Sequence, residues 1–202
     1  MPVWAGCRGA FAILLLVGPL VGTAGAAGVC TPTPANALGP FYLPDAHFVE
    51  RLDRPEEQGE RVEFAGRVLA LPDCRPVAGA VLDIWQANAA GVYDNLEKKG
   101  RPAEYRLRGR IRTGPDGSFR CLTVRPGRYG AGPGGSRPSH IHVTISAPAL
   151  APLTTQVYFP GDPDNAGDDL FLPALAGSLR ARAGAPASLW FEFVLGPAEA
   201  GR

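Results

Sequence analysis

The sequence predicts an all-β fold, a single-domain β-sandwich with long loops and little helix. Three observations carry this. Apolar and polar residues alternate over several short stretches, the period of a strand with one buried face. Turn formers are abundant, 26 Gly and 21 Pro in 202 residues, and they punctuate those stretches at regular spacing. No internal repeat or shift in composition marks a second domain, and the length suits one domain of ordinary size.

Taken in order, the chain opens on a weakly positive start at Arg8. An apolar core follows from Phe11 to Val21, then a small-x-small site at Ala24-Gly25-Ala26. That core is short and Pro-interrupted, so residues 1–26 read as an export signal rather than a membrane span. The expected mature chain is residues 27–202, one catalytic or binding sandwich, exported to the periplasm or secreted. Three cysteines remain after cleavage, Cys30, Cys74 and Cys121. An oxidising compartment allows one disulfide, with Cys30–Cys74 the preferred pair and Cys121 a small buried core residue in an apolar strand.

Residues 27–45 are Pro-rich and read as an extended lead-in. Residues 46–60 form a polar surface loop in which His47 is expected exposed. Strands are predicted over 61–71, 79–86, 107–113, 118–124, 139–147, 154–159 and 187–195. Leu82 and Ile84 share one face of the second of these, and Leu189, Phe191 and Phe193 face inward on the last. Gly114-Pro115-Asp116-Gly117 is a tight turn, so 107–124 reads as a hairpin. Residues 87–102 and 125–138 read as loops. Leucines at near-helical spacing predict a short helix over 170–183.

Twenty basic and 19 acidic residues nearly cancel, which argues against nucleic acid or an anionic membrane as partner. The chemistry concentrates instead in Arg137-Pro138-Ser139-His140-Ile141-His142-Val143, which holds two of the three histidines. On a strand, spacing i, i+2 puts His140 and His142 on one face, a two-imidazole platform for a transition metal. For a bare H-x-H, two half-exposed surface histidines is the default reading. Tyr93 and Tyr129 each stand where a strand gives way to a loop. As phenolates they would be hard oxygen donors suited to ferric iron, as the tyrosine ligand of catalase illustrates. Alone, each is a loop tyrosine with its hydroxyl in water, the reading kept for Tyr42, Tyr105 and Tyr158.

Five segments in order then resemble the intradiol ring-cleavage dioxygenases, the family of protocatechuate 3,4-dioxygenase and catechol 1,2-dioxygenase. They are GPFYLPD at 39–45, PVAGAVLDIWQANAAGVYDN at 76–95, LRGRIRTGPDGSFRCLTVRPGRY at 107–129, RPSHIHV at 137–143 and TTQVYFPGDP at 154–163. The resemblance implies a mononuclear non-haem Fe(3+) centre held by Tyr93, Tyr129, His140 and His142. It implies a catechol-type substrate cleaved between its hydroxyls with O2 to a cis,cis-muconate-type product. Tyr129 would accept a substrate proton, Arg137 would face the bound ring, and Gln156 would lie near the same intermediate. A homo-oligomer is compatible with it. No tryptophan follows Tyr129 where protocatechuate-type members carry one, and the Gly-rich 130–136 stretch predicts a wider pocket rim. Asp162, Asp164, Asp168 and Asp169 lack the spacing of a calcium loop. Two rivals stand beside this reading. One is a non-catalytic β-sandwich binding module; the other is a zinc or copper enzyme, which two phenols disfavour.

Overall fold

The computed structural model describes Met1 and residues 30–95, 105–132 and 135–198, with the backbone alone at 131, 132 and 135. The expected export signal and the far half of the loop expected at 87–102 lie outside the described residues, as do two positions of the Gly-rich rim. Among the described residues no helix is long and apolar enough to cross a membrane.

The architecture is a β-sandwich, as predicted. One sheet holds β1 (Arg61–Ala70), β2 (Arg75–Pro76), β5 (Ser118–Val124), β10 (Ser178–Arg180) and β11 (Ala187–Leu195). Its centre is β1, paired in parallel with β11 and antiparallel with β2 and β5. The other sheet runs β4 (Arg108–Arg112), β3 (Val81–Trp85), β8 (His140–Ser146), β9 (Leu153–Tyr158). Alternation sends Phe64 and Val68 of β1 and Leu189, Phe191 and Phe193 of β11 inward. They meet Leu82 and Ile84 of β3 and Ile141, Val143 and Ile145 of β8 in one core. Phe64 packs edge-on against Phe119 and Phe193, with ring centroids 5.2 and 6.4 Å away.

Three expectations need correction. Residues 107–124 are not a hairpin. The turn closes, with Gly117 N–H donating to Gly114 O at 3.0 Å and Gly114 N–H to Ser118 O at 2.8 Å. Beyond it β4 joins β3 and β5 joins β1, so the turn is an arch between the two sheets. The helix expected at 170–183 is absent: a 3-10 turn at Pro173–Leu175 and the short strand β10 occupy it. Pro173 has no N–H to donate, and a Cβ on Gly177 would lie 2.7 Å from Leu189 Cδ1, so the chain there hugs β11 too closely for a helix. The loop expected at 125–138 contains a two-stranded ribbon, β6 (Tyr129–Gly132) with β7 (Gly135–Arg137).

Cys30 and Cys74 are joined, with Cα atoms 5.6 Å apart, tying the lead-in to the turn between β1 and β2. Cys121 is a buried free thiol that burial pushes up to about 12, which keeps it protonated and inert. The lead-in then crosses from one sheet to the other. Thr33 N–H donates to Val194 O at 3.1 Å, and Asn36 N–H to Thr154 O at 2.9 Å.

Candidate metal centre

β8 is buried on both faces. Ile141, Val143 and Ile145 fill the core, so period two turns His140 and His142 to the outer face. Register puts Trp85, His142 and Gln156 in one row across β3, β8 and β9, with Tyr158 opposite His140. Loops roof this face, and each imidazole is 1% exposed. The Trp85 ring stacks on that of His142 at 5.0 Å and 11°. Tyr158 is fully buried beside His140, ring centroids 5.5 Å apart.

Two loops bring in the phenols, and they interlock. Gly127 N–H donates to Asn88 O at 2.8 Å. Gly91 has φ +78, and a Cβ there would sit 2.0 Å from Arg128 O, so only glycine lets the Tyr93 loop lie against the Tyr129 loop. Arg108 anchors the first loop from below. It donates from Nε to both carboxylate oxygens of Asp94, at 3.1 and 2.9 Å, and from NH1 to Phe41 O at 2.9 Å. Phe41 in turn stacks on Tyr93, centroids 4.2 Å apart, and meets Tyr129 edge-on at 5.9 Å.

The four polar rings converge. Tyr129 Oη lies 3.2 Å from His140 Nε2, which lies 3.1 Å from His142 Nε2. Tyr93 stands edge-on to Tyr129 at 5.3 Å and tilted to His142 at 6.5 Å. His140 Nδ1 donates to Pro138 O at 2.7 Å, which fixes the tautomer and leaves Nε2 as a lone pair aimed at the cluster. Burial, with the Arg137 charge behind it, pushes the His140 pKa down to about 3. Burial and then His140 itself hold His142 well below the usual imidazole value. Both rings are therefore neutral donors. Burial, followed by the neighbouring Tyr129 phenol, drives the Tyr93 pKa far above its ordinary value.

These residues fit a cation. Among the described residues Tyr93 Oη, on the ring that meets Tyr129 and His142, is buried with no hydrogen-bond partner, an arrangement that costs free energy unless something else satisfies the site. A trivalent ion reverses the burial penalty on a phenol by stabilising its anion. Among the described residues no three His, Cys, Asp or Glu cluster anywhere, so this donor set depends on its phenols.

The fold thus brings Tyr93, Tyr129, His140 and His142 together, with Arg137 and Gln156 beside them. Arg137 NH1 donates to Tyr129 Oη at 3.4 Å and NH2 to Gln156 Oε1 at 2.7 Å. Gln156 is fully buried although β9 is an edge strand, because the lead-in covers it: Nε2 donates to Asn36 Oδ1 at 3.1 Å and Ala37 O at 3.0 Å. His47 is exposed on the far side of Tyr105, as expected. Tyr158 departs from expectation, since its hydroxyl is bonded to Arg137 NH2 at 2.8 Å rather than facing water. The hydroxyls of Tyr42 and Tyr105 are bonded too, to Asp83 Oδ2 at 3.3 Å and Pro44 O at 3.1 Å. The alternation Gln156-x-Tyr158 was the available signal for Tyr158. Gly39 carried none. At φ +74 it turns the lead-in so tightly over His142 that a Cβ would lie 3.0 Å from the ring's Cε1. Asp162 and Asp164 accept from Arg128 at 3.3 and 3.2 Å, an ion-pair role rather than a calcium loop.

A family model described as Dioxygenase matches residues 38–197. Catechol 1,2-dioxygenase 1 of Acinetobacter lwoffii is 34% identical over 155 residues, 68% of this chain and 50% of that protein. The protocatechuate 3,4-dioxygenase beta chain of Burkholderia cepacia is 39% identical over 122 residues, 57% of this chain and 52% of its own. Among solved structures, the chain is similar to the dioxygenase domain of a dioxygenase carbohydrate-binding protein fusion from Streptomyces sp. SirexAA-E. The TM-score is 0.71 at 39% identity, covering 83% of this chain and 100% of that one. The chain spans about half the length of the curated relatives it matches.

Proposed function

The chain belongs to the intradiol ring-cleavage dioxygenase family, and from that membership we propose an exported, iron(III)-dependent enzyme that cleaves a catechol between its hydroxyls with O2. The product would be a cis,cis-muconate-type diacid. The observation that supports this reading best is the meeting of two phenols and two neutral imidazoles at one buried point, with Tyr93 Oη left unpartnered. Tyr93, Tyr129, His140 and His142 are the proposed ligands. A bound ferric ion would supply a Lewis-acidic, electron-accepting centre that renders a chelated catecholate reactive toward O2.

The chain's own groups do the rest. Tyr129 is half-buried, the more accessible of the two phenols. Its Oη is the proposed acceptor of a catechol proton. Arg137 offers a fixed donor beside that oxygen, where negative charge develops on the ring. Gln156 acts through Arg137. Phe41 and Trp85 wall the donors from water, which strengthens each charge interaction within. Export is supported by the Cys30–Cys74 disulfide, a bond that persists in oxidising compartments; sequencing of the mature N-terminus should begin at Ala27.

Oxygen uptake against a panel of catechols, with products identified, tests the activity. Uptake matched by products cut between the hydroxyls supports it; cleavage beside the hydroxyls, or no uptake, overturns it. The iron-loaded protein should also be coloured by phenolate-to-iron absorption. A colourless protein with a full complement of iron would exclude the phenol ligands and leave the binding-module reading.

A further inference from the structure

Asp168 closes the 3-10 turn Asn165–Gly167, just before the segment where a helix was expected, and nothing in the residue pattern gave it a role. The carboxylate is 6% exposed and directed at Arg137. Arg137 Nε and NH2 both donate to a single oxygen, Asp168 Oδ2, at 3.1 and 2.9 Å. NH2 also meets Gln156 Oε1 at 2.7 Å and Tyr158 Oη at 2.8 Å. One edge of the guanidinium is therefore fully engaged, and NH1 is left to the Tyr129 phenol oxygen at 3.4 Å. The clamp is itself fixed. Asp168 Oδ1 accepts from Leu170 N–H at 3.1 Å, and Leu170 O accepts from Asn36 Nδ2 at 2.8 Å. Asn36 Oδ1 then holds the Gln156 amide. A closed ring of hydrogen bonds thus surrounds an arginine that, untethered, would carry about 2 kcal/mol of rotamer freedom.

We infer that Asp168 is a positioning residue of this site: it locks the Arg137 guanidinium so that its one free edge faces the Tyr129 oxygen. What that edge does to substrate rests on the ring-cleavage reading; the lock does not. Two consequences follow. Arg137 acts as an oriented donor, because its charge is balanced by Asp168. It is also a poor anchor for a second carboxylate, since NH2, common to both edges that could pair bidentately, is already engaged by Asp168, Gln156 and Tyr158.

Asp168→Asn separates this from a merely structural role, in which the carboxylate only staples the 165–175 segment to β7. The metal-free full chain is examined first, by 15N NMR of arginine Nε–H groups, with the Arg137 signal assigned by its loss in Arg137→Lys. A slowly exchanging Arg137 signal in the parent, lost in Asp168→Asn at a melting temperature within a few degrees, is the expected result. A signal unchanged by the substitution overturns the inference. In the iron-loaded enzyme Asp168→Asn should lower kcat roughly 10- to 100-fold, the scale of one lost charge-assisted bond, with KM little changed. In an Arg137→Ala background the same substitution should cost nothing further, because it acts through a side chain no longer there. An equal loss in both backgrounds overturns the inference. If the parent turns over no catechol, the activity reading fails by itself and the NMR result alone decides the lock. If Asp168→Asn does not fold, Asp168→Glu, which keeps the charge, should retain the protected signal; its loss there overturns the lock.

Discussion

Among the described residues Tyr93 Oη has no hydrogen-bond partner, and its neighbour Tyr129 has two. The two phenols are therefore unequal, and substituting them should have unequal effects. Tyr129→Phe removes the proposed proton acceptor while leaving the ring and its packing. Visible absorption of the iron-loaded protein should change, and turnover should fall by the roughly 10²- to 10⁴-fold typical of a lost acid–base group, at near-parent melting temperature. Unchanged colour and rate would remove Tyr129 from the site. Gly39 offers a second prediction. Any side chain there is strained at φ +74 and presses on the His142 ring, so Gly39→Ala should lower iron content after dialysis more than it lowers stability, read by metal analysis beside thermal melting. The shared face of His140 and His142 was legible from their i, i+2 spacing on a strand, whereas Tyr93 and Tyr129 were joined to them by the family resemblance. Gly39, Phe41 and Asp168 were not legible, since each acts through contacts between segments remote in the chain.

At the scale of elements, the loop carrying Tyr93 is anchored by a buried ion pair, Arg108–Asp94, with side chains 2% and 5% exposed. Arg108→Ala leaves Asp94 buried without its charge partner and removes the shorter of the bonds to Phe41 O, which keeps a 3.4 Å bond from Asn95 Nδ2. A loss of about 3–5 kcal/mol in denaturant unfolding is expected, together with weakened iron retention, because Asp94 adjoins Tyr93. A loss below ~1 kcal/mol would mean the loop is held elsewhere. Most strands were readable from alternation, which β3 follows from Val81 to Ile84 and β11 from Leu189 to Phe193. The arch between β4 and β5 was not readable. The Gly114–Gly117 turn has the same chemistry whether the next strand returns to its neighbour or crosses to the other sheet, and only β1 decides. Leu170, Leu172, Leu175 and Leu179 imitate a helical stripe, but Leu172 and Leu179 are exposed and only Leu175 reaches the core.

For the whole molecule, acid should be the destabilising limb. Burial alone would raise the Asp53 carboxyl, but Arg51 and Arg61 outweigh it and hold its pKa below the usual range. A depressed folded pKa gives stability that is complete above the unfolded value, about 3.9, and is lost as pH falls through the folded one. Below about pH 6.5 the unfolded chain also takes up protons that buried His140 and His142 refuse, so the melting temperature of the metal-free protein should begin to fall there and show a further, steeper decline below about pH 4. Asp53→Asn should lower the plateau and flatten that decline; an unaltered slope would assign the acid limb to other carboxylates. The overall sandwich was readable because turn residues and alternation recur along the whole chain. The roof over the donors was not, since a Pro-rich lead-in without period gives no sign of which sheet face it covers.

The parallel alignment of β1 with β11 sets the order of events in folding. The first long strand completes its central place only when the last one docks, after nearly all the intervening chain exists. Such remote pairing bears a large loop-closure cost before it is rewarded, which places folding in the milliseconds-to-seconds range. Until then β1 presents an open edge, a template for pairing with other chains. Capture of the proposed metal ion would follow that closure, because the lead-in that roofs the histidines is itself hung from β11 through Thr33 and Val194.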